Sequence, residues 1–86
     1  MKELEKMLKA LANRRRLAIL KYLKENREAY VGNIADAIHL SFAATSKHLS
    51  ILAAIDIVER DQRSLQMFYN LASNQKPVVQ RVISLL

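Results

Sequence analysis

A mainly α-helical fold carrying one small β-hairpin is the class that this sequence of 86 residues predicts, on three observations. Apolar residues recur at helical spacing through the first two thirds of the chain. Two of those helical stretches are separated only by His39, Leu40 and Ser41. After Asp56 the pattern turns to alternation, and then to one last helical stretch.

The elements follow in order. Leu4, Met7, Leu8 and Leu11 fall at i, i+3, i+4 and i+7, one stripe of a first helix, with Lys2, Glu5, Lys6 and Lys9 toward water. Asn13 is a good N-cap for a second helix from Arg14 to about Glu25, with Leu17, Ile19, Leu20, Tyr22 and Leu23 as its apolar positions. Ile34, Ala35 and Ile38 give a short third helix, and Ser41 can cap a fourth from Phe42 to about Ala54. Asp56 suits the left-handed residue that ends it. Ile57, Val58 and Glu59 begin a strand, Asp61 to Ser64 offer a turn, and Leu65, Met67, Tyr69 and Leu71 alternate with Gln66, Phe68 and Asn70. Ser73 and Asn74 can cap a last helix, with Pro77 in its first turn. The expectation is one domain over residues 1–86, about five helices and a two-stranded wing. Two short helices joined by so short a turn make a helix-turn-helix, whose second helix is free to enter a DNA major groove.

Charge supports that reading. Fourteen Lys and Arg against 8 Asp and Glu leave a formal charge of +6, which implies an anionic partner. From Ala37 to Ile55 there is no acidic residue, so the fourth helix can lie against phosphate without repulsion. The chain has no Cys, which excludes disulfides, thiol catalysis and thiolate metal sites. One Gly and no pairing of nucleophile with base leave no catalytic constellation, so no enzyme and no cofactor are expected. Charges every few residues from Lys2 onward predict neither a signal peptide nor a membrane span, hence a cytoplasmic protein.

The stretches Leu11-Ala12-Asn13-Arg14-Arg15-Arg16-Leu17-Ala18-Ile19-Leu20, Ile34-Ala35-Asp36-Ala37-Ile38-His39-Leu40-Ser41, Thr45-Ser46-Lys47-His48-Leu49-Ser50-Ile51-Leu52 and Phe68-Tyr69-Asn70-Leu71 carry a resemblance over roughly Leu8 to Leu71. Together they make the chain similar to the arsenic-repressor (ArsR) family of small winged-helix regulators. The resemblance implies a winged helix-turn-helix that binds double-stranded DNA as a transcriptional regulator. It also has departures. Metal-sensing members carry a cysteine pair at the start of the third helix, where this chain has Tyr30 and Gly32, and neither binds a soft metal. Others place His and carboxylate ligands on the last helix, but from Ser73 to Leu86 there is no His, Asp or Glu. No metal partner is expected. A Gly and an Arg usual at the wing tip are Ser64 and Leu65, and the Gly usual after the fourth helix is Asp56.

On the fourth helix Thr45, Leu49, Leu52 and Ala53 share one face, and Ala43, Ala44, Lys47 and Ser50 point away from it. The DNA-binding set expected is Ser41, Phe42, Ala43, Ser46, Lys47 and His48, with Arg60, Gln62 and Arg63 of the wing. Phe42, Ala43 and Ser46 stand nearest the bases, and Lys47, Arg60 and Arg63 supply charge. For Phe42, core packing and groove contact are equally open; in the groove it can meet thymine methyl groups but makes no hydrogen bond. His48 is expected to donate to a phosphate or to the neighbouring helix. Arg14, Arg15 and Arg16 read as a solvated helix start or as phosphate neutralisers; at a helix N-terminus they oppose the dipole.

Leu4, Met7, Leu8, Val79, Val82, Ile83 and Leu86 exceed what one small core covers and are expected to form a homodimer interface. Two rivals stand beside the DNA-binding repressor. One is a winged-helix module for protein–protein contact, its charge serving solubility. The other is membrane association through the C-terminal stretch, for which Lys76 and Arg81 are poor anchors.

Overall fold

The computed structural model describes residues Met1–Leu86. Its elements run α1 (Lys2–Leu11), α2 (Arg14–Glu25), β1 (Glu28–Tyr30), α3 (Val31–Ala37), α4 (Phe42–Ala54), β2 (Val58–Arg63), β3 (Gln66–Leu71) and α5 (Pro77–Ser84). Short polar side chains set two of the helix starts. The Asn13 carboxamide oxygen accepts from the N–H groups of Arg15 and Arg16, and the Ser41 hydroxyl accepts from the N–H of Ala44. Each satisfies donors that the first turn leaves free.

The two helices of the helix-turn-helix end alike. The N–H of Leu40 reaches back to the carbonyl of Ala35, and that of Ile57 to the carbonyl of Leu52. Between them His39 (φ 56°) and Asp56 (φ 61°) take the left-handed conformation. Both closures belong to the Schellman type that glycine usually serves. Asp56 was expected in that conformation; His39, which turns the chain from α3 into α4, carries no such sequence signal.

Three expectations are corrected. The sheet has three antiparallel strands in the order β1-β3-β2, not two, because Glu28 to Tyr30 pair with Phe68 to Asn70. The hairpin turns at Ser64 and Leu65, not over Asp61 to Ser64, since Arg63 faces Gln66 and Ser64 takes φ 57°. α5 begins without a side-chain cap from Ser73 or Asn74. Lys76 precedes it with extended backbone (φ −70°, ψ 152°), the conformation a following proline imposes, and Pro77 takes the first helical position where its missing N–H costs nothing.

The core lies between the helices and one face of the sheet. Ile19, Leu20 and Leu23 of α2, Ile34 of α3, Leu49 and Leu52 of α4, Ile57, Val58, Tyr69 and Val79 are all buried. Burying each large aliphatic side chain contributes roughly 1.5–3 kcal/mol. Val79 is 1% exposed within this single chain, so it fills the protomer's own core and cannot face a second copy as expected. The Met7, Val82, Ile83 and Leu86 side chains are half-buried against the same core.

Candidate nucleic-acid interface

α4 buries Thr45, Leu49 and Leu52 and so fixes which side it shows to solvent. At 100° per residue, Ala43, Lys47, Ser50 and Ala54 stand opposite that buried stripe, and all four are exposed. This outer face is small and apolar apart from one cation and one hydroxyl, with no acid to repel a phosphate. Ser46 is half-buried and His48 half-buried on the opposite flank. Ser41 keeps its hydroxyl in the N-cap.

The two flanks of α4 meet different neighbours. On one, Phe42 is 53% exposed, and its ring lies 6.3 Å from that of Tyr30, which lies 6.1 Å from that of Phe68 on β3. Phe42 is therefore neither a core residue nor a free groove-facing ring: it caps a tilted aromatic stack that joins α4 to the wing. A side chain at Gly32 would collide with the stack, since a Cβ there would come within 2.6 Å of Tyr30 Cε2. The positions of the absent cysteine pair thus hold an aromatic ring and the space it needs. No three His, Cys, Asp or Glu side chains gather where they could share a metal ion.

On the other flank, His48 Nδ1 lies 3.2 Å from an Arg16 guanidinium nitrogen. A guanidinium only donates, so Nδ1 accepts and the ring's proton sits on Nε2. Burial first, and then the charges of Arg16, Arg15 and Lys47, hold the imidazole below its ordinary pKa of 6.5. Toward α2 His48 is thus an acceptor, not the expected donor, and its Nε2–H is left for other partners. Arg16 also donates to the carbonyls of Ala10 and Lys9 at the end of α1, and Arg15 donates to the carbonyl of Ile38 at the end of α3, 3.3 Å away. Two of the three arginines therefore stitch α2 to the carbonyl ends of neighbouring helices, where a cation is favourable. Sequence reasoning missed this, although Arg16 following the N-cap at Asn13 and the short link from α1 was its available signal.

The wing divides its expected residues between two faces. Residues opposite one another on an antiparallel ladder share a face. The register places Val58, Arg60 and Gln62 with Leu71, Tyr69 and Met67, and Tyr69 and Val58 are buried against the helices. Arg60 and Gln62 extend this face toward the tip and are exposed on it. Arg63 lies on the other face, held bidentately by Glu28 at 2.7 and 2.8 Å and by Asp61 at 2.9 Å, with its guanidinium 4.6 Å from the Phe68 ring centre. These contacts raise the Arg63 pKa and lower that of Glu28. Of the wing cations, only Arg60 is without a carboxylate clamp.

A short α3, a tight turn, a recognition helix with an acid-free outer face and an antiparallel hairpin beside it define a winged helix-turn-helix DNA-binding module. Comparison with known proteins agrees, since the profile of the bacterial regulatory protein arsR family matches residues 13–60. The chain belongs to this family and is a DNA-binding transcriptional regulator. It is 39% identical over 80 residues to the transcriptional activator HlyU of Vibrio cholerae, covering 93% of this chain and 70% of that protein. The structure of reduced HlyU superposes with a TM-score of 0.82 at 35% identity, over 99% of this chain and 85% of the other. The HTH-type transcriptional repressor SmtB of Mycobacterium tuberculosis is 34% identical over 68 residues, 79% of this chain and 50% of that one. The homodimeric winged helix-turn-helix DNA-binding domain Mb0332 of Mycobacterium bovis matches with a TM-score of 0.82 and 31% identity, over 98% of this chain and 74% of the other. No helix is long and apolar enough to cross a membrane.

Proposed function

We propose that this chain works in the cytoplasm as a homodimeric repressor that lays one α4 helix of each protomer into successive major grooves. The observation that carries this reading is the outer face of α4: Ala43, Lys47 and Ser50 are exposed, and there is no acidic residue along the helix. Ala43 and Ser46 stand nearest the bases, Phe42 edges the groove from the aromatic stack, and Lys47, His48 Nε2–H, Arg60 and Gln62 contact the backbone. With so few hydrogen-bonding groups toward the bases, phosphate contacts dominate affinity.

Exposed apolar residues support the dimer. Leu4 is 38% exposed, Leu8 47% and Leu85 71%. Leu85 joins the expected set in place of Val79. Mb0332, described as homodimeric, shares the fold. A two-fold dimer sets its reading helices about 34 Å apart, so the site is an inverted repeat with half-sites about 10 to 11 base pairs apart, or a multiple. Repression needs only that the dimer occupy promoter DNA. The chemistry of Tyr30 and Gly32 and the composition of Ser73 to Leu86, without His, Asp or Glu, support control without a metal at these positions.

The test is Ala43→Asp, which places an anion in the groove and is expected to abolish binding to duplex DNA while leaving the fold intact. Unchanged affinity would make α4 the wrong reading head and favour a module for protein–protein contact. Light scattering of a Val82→Glu, Leu86→Glu variant tests the interface, with a monomer mass expected and an unchanged dimer refuting it.

A further inference from the structure

The reading helix has a cationic neighbour that the proposed interface does not use. Along α2, Arg14, Ala18 and Lys21 fall at i, i+4 and i+7 and so form one stripe, about 10 Å long. Arg14 and Lys21 are exposed. With Arg15, Tyr22 and Ile38 they line a shallow open groove between α2 and the end of α3, with Glu25 at its far end. Both ion pairs of the structure belong to Arg63, so Arg14, Arg15 and Lys21 have no carboxylate partner. The groove is also tied to the reading helix. Arg15 holds the Ile38 carbonyl just before the turn into α4, and Arg16, the next residue, holds His48. Arg15 and Arg16 therefore stand between Lys47 and His48 on α4 and the Arg14–Lys21 stripe on α2.

We propose that this shelf, with Arg14 and Lys21 as its free charges, is a second contact for the DNA backbone, taking phosphates that flank the stretch under α4. Ala18, between the two cations, is small enough to let the backbone approach. The shelf rests on the reading of α4 as the groove helix, and it adds outlying phosphate contacts on α2 to those of Arg60 and Gln62 on the wing.

The test uses the full chain and a random-sequence duplex of about 30 base pairs, with affinity followed by fluorescence anisotropy across a salt series. Arg14→Gln with Lys21→Gln is expected to lower the slope of log affinity against log salt by about 2 per protomer, since each lost phosphate contact removes about 0.9. At low salt the loss in affinity is about tenfold or more. Lys2→Gln with Lys6→Gln removes the same net charge from α1 and is expected to change the slope little. Equal slopes for the two double variants overturn the shelf, because the effect is then one of net charge. An unchanged slope in the α2 variant, with Ala43→Asp still abolishing binding, overturns the shelf and leaves α4 as the reading head. Harmless Ala43→Asp removes that reading and the shelf with it. All four replaced side chains are exposed, and thermal melts confirm that each variant folds.

Discussion

Arginine does opposite electrostatic work on the two flanks of α4. On the α2 flank, Arg15 and Arg16 donate to main-chain carbonyls of Ile38, Ala10 and Lys9 and to a neutral imidazole. Those partners are dipoles, so the positive charge survives its own hydrogen bonds. On the wing flank, Arg63 sits between Glu28 and Asp61 on the outer face of the sheet, which it shares with Glu59. Its partners are full anions, and its field is cancelled at the source. An arginine's presence in a DNA-binding module thus says little about phosphate binding until its partners are known.

Arg16→Ala breaks this comparison most severely. It strips donors from two carbonyls and from His48 at once. The expected loss is roughly 2–4 kcal/mol of folding stability: a hydrogen bond from a charged donor is worth about 1.5–3 kcal/mol, and these three are discounted because two are only part-buried and one is exposed. Urea unfolding reads it. Arg63→Ala removes exposed ion pairs and an exposed cation–π contact with Phe68, each worth little at the surface, and its midpoint is expected to stay closer to that of the wild type. Comparable losses in the two variants would erase the distinction between the flanks.

Salt dependence gives the next effect. Lys47→Ala is expected to weaken binding to every duplex sequence and to lower the salt slope by about 1 per protomer. Arg63→Ala is expected to leave that slope nearly unchanged, because a clamped guanidinium releases few counterions. The reverse order, with Arg63→Ala the more damaging, would return the wing to the leading role. Smaller still, Glu28→Gln with Asp61→Asn frees Arg63, and the slope is expected to rise by at most about 1 per protomer. No rise would mean that Arg63 points away from DNA whatever its partners.

The contrast also explains what could be read in advance. The starts of α2 and α4 were legible because a single side chain, Asn13 or Ser41, caps each one. The outer face of α4 was legible because helical geometry alone assigns Ala43, Lys47 and Ser50 to it. β1 was not, since three residues carry no periodicity and its partner β3 is far along the chain. The true hairpin turn was hidden because Asp61, Gln62 and Arg63 have turn-like composition. They are strand residues whose polarity is tolerated at the exposed end of the wing. The clamp on Arg63 was not legible because its partner Glu28 lies on β1, the strand that has no sequence signal. Val79 looked like surplus surface because its pattern does not say which of α5's apolar residues reaches the protomer core.

pH separates the flanks most finely. His48 is held below its ordinary pKa of 6.5 by burial and then by Arg16, Arg15 and Lys47, with no carboxylate acting against them. Above 6.5 the ring is neutral in folded and unfolded chain alike and contributes nothing to the pH dependence. Below 6.5 the unfolded chain takes up the proton first, so stability falls as pH drops, until the folded ring protonates too. Protonation also gives Nδ1 a hydrogen where Arg16 already donates. Glu28 behaves differently: Arg63 holds it below its ordinary 4.5, so the stability it contributes is present above 4.5 and is lost only as pH falls further. Unfolding in urea at a series of pH values should therefore show a loss that begins below 6.5 and that His48→Gln removes, since a carboxamide can still accept from Arg16 but does not titrate. Glu28→Gln should leave that loss in place and alter only the more acidic range. If His48→Gln keeps the full loss below 6.5, the imidazole is not the neutral acceptor that joins α2 to the reading helix.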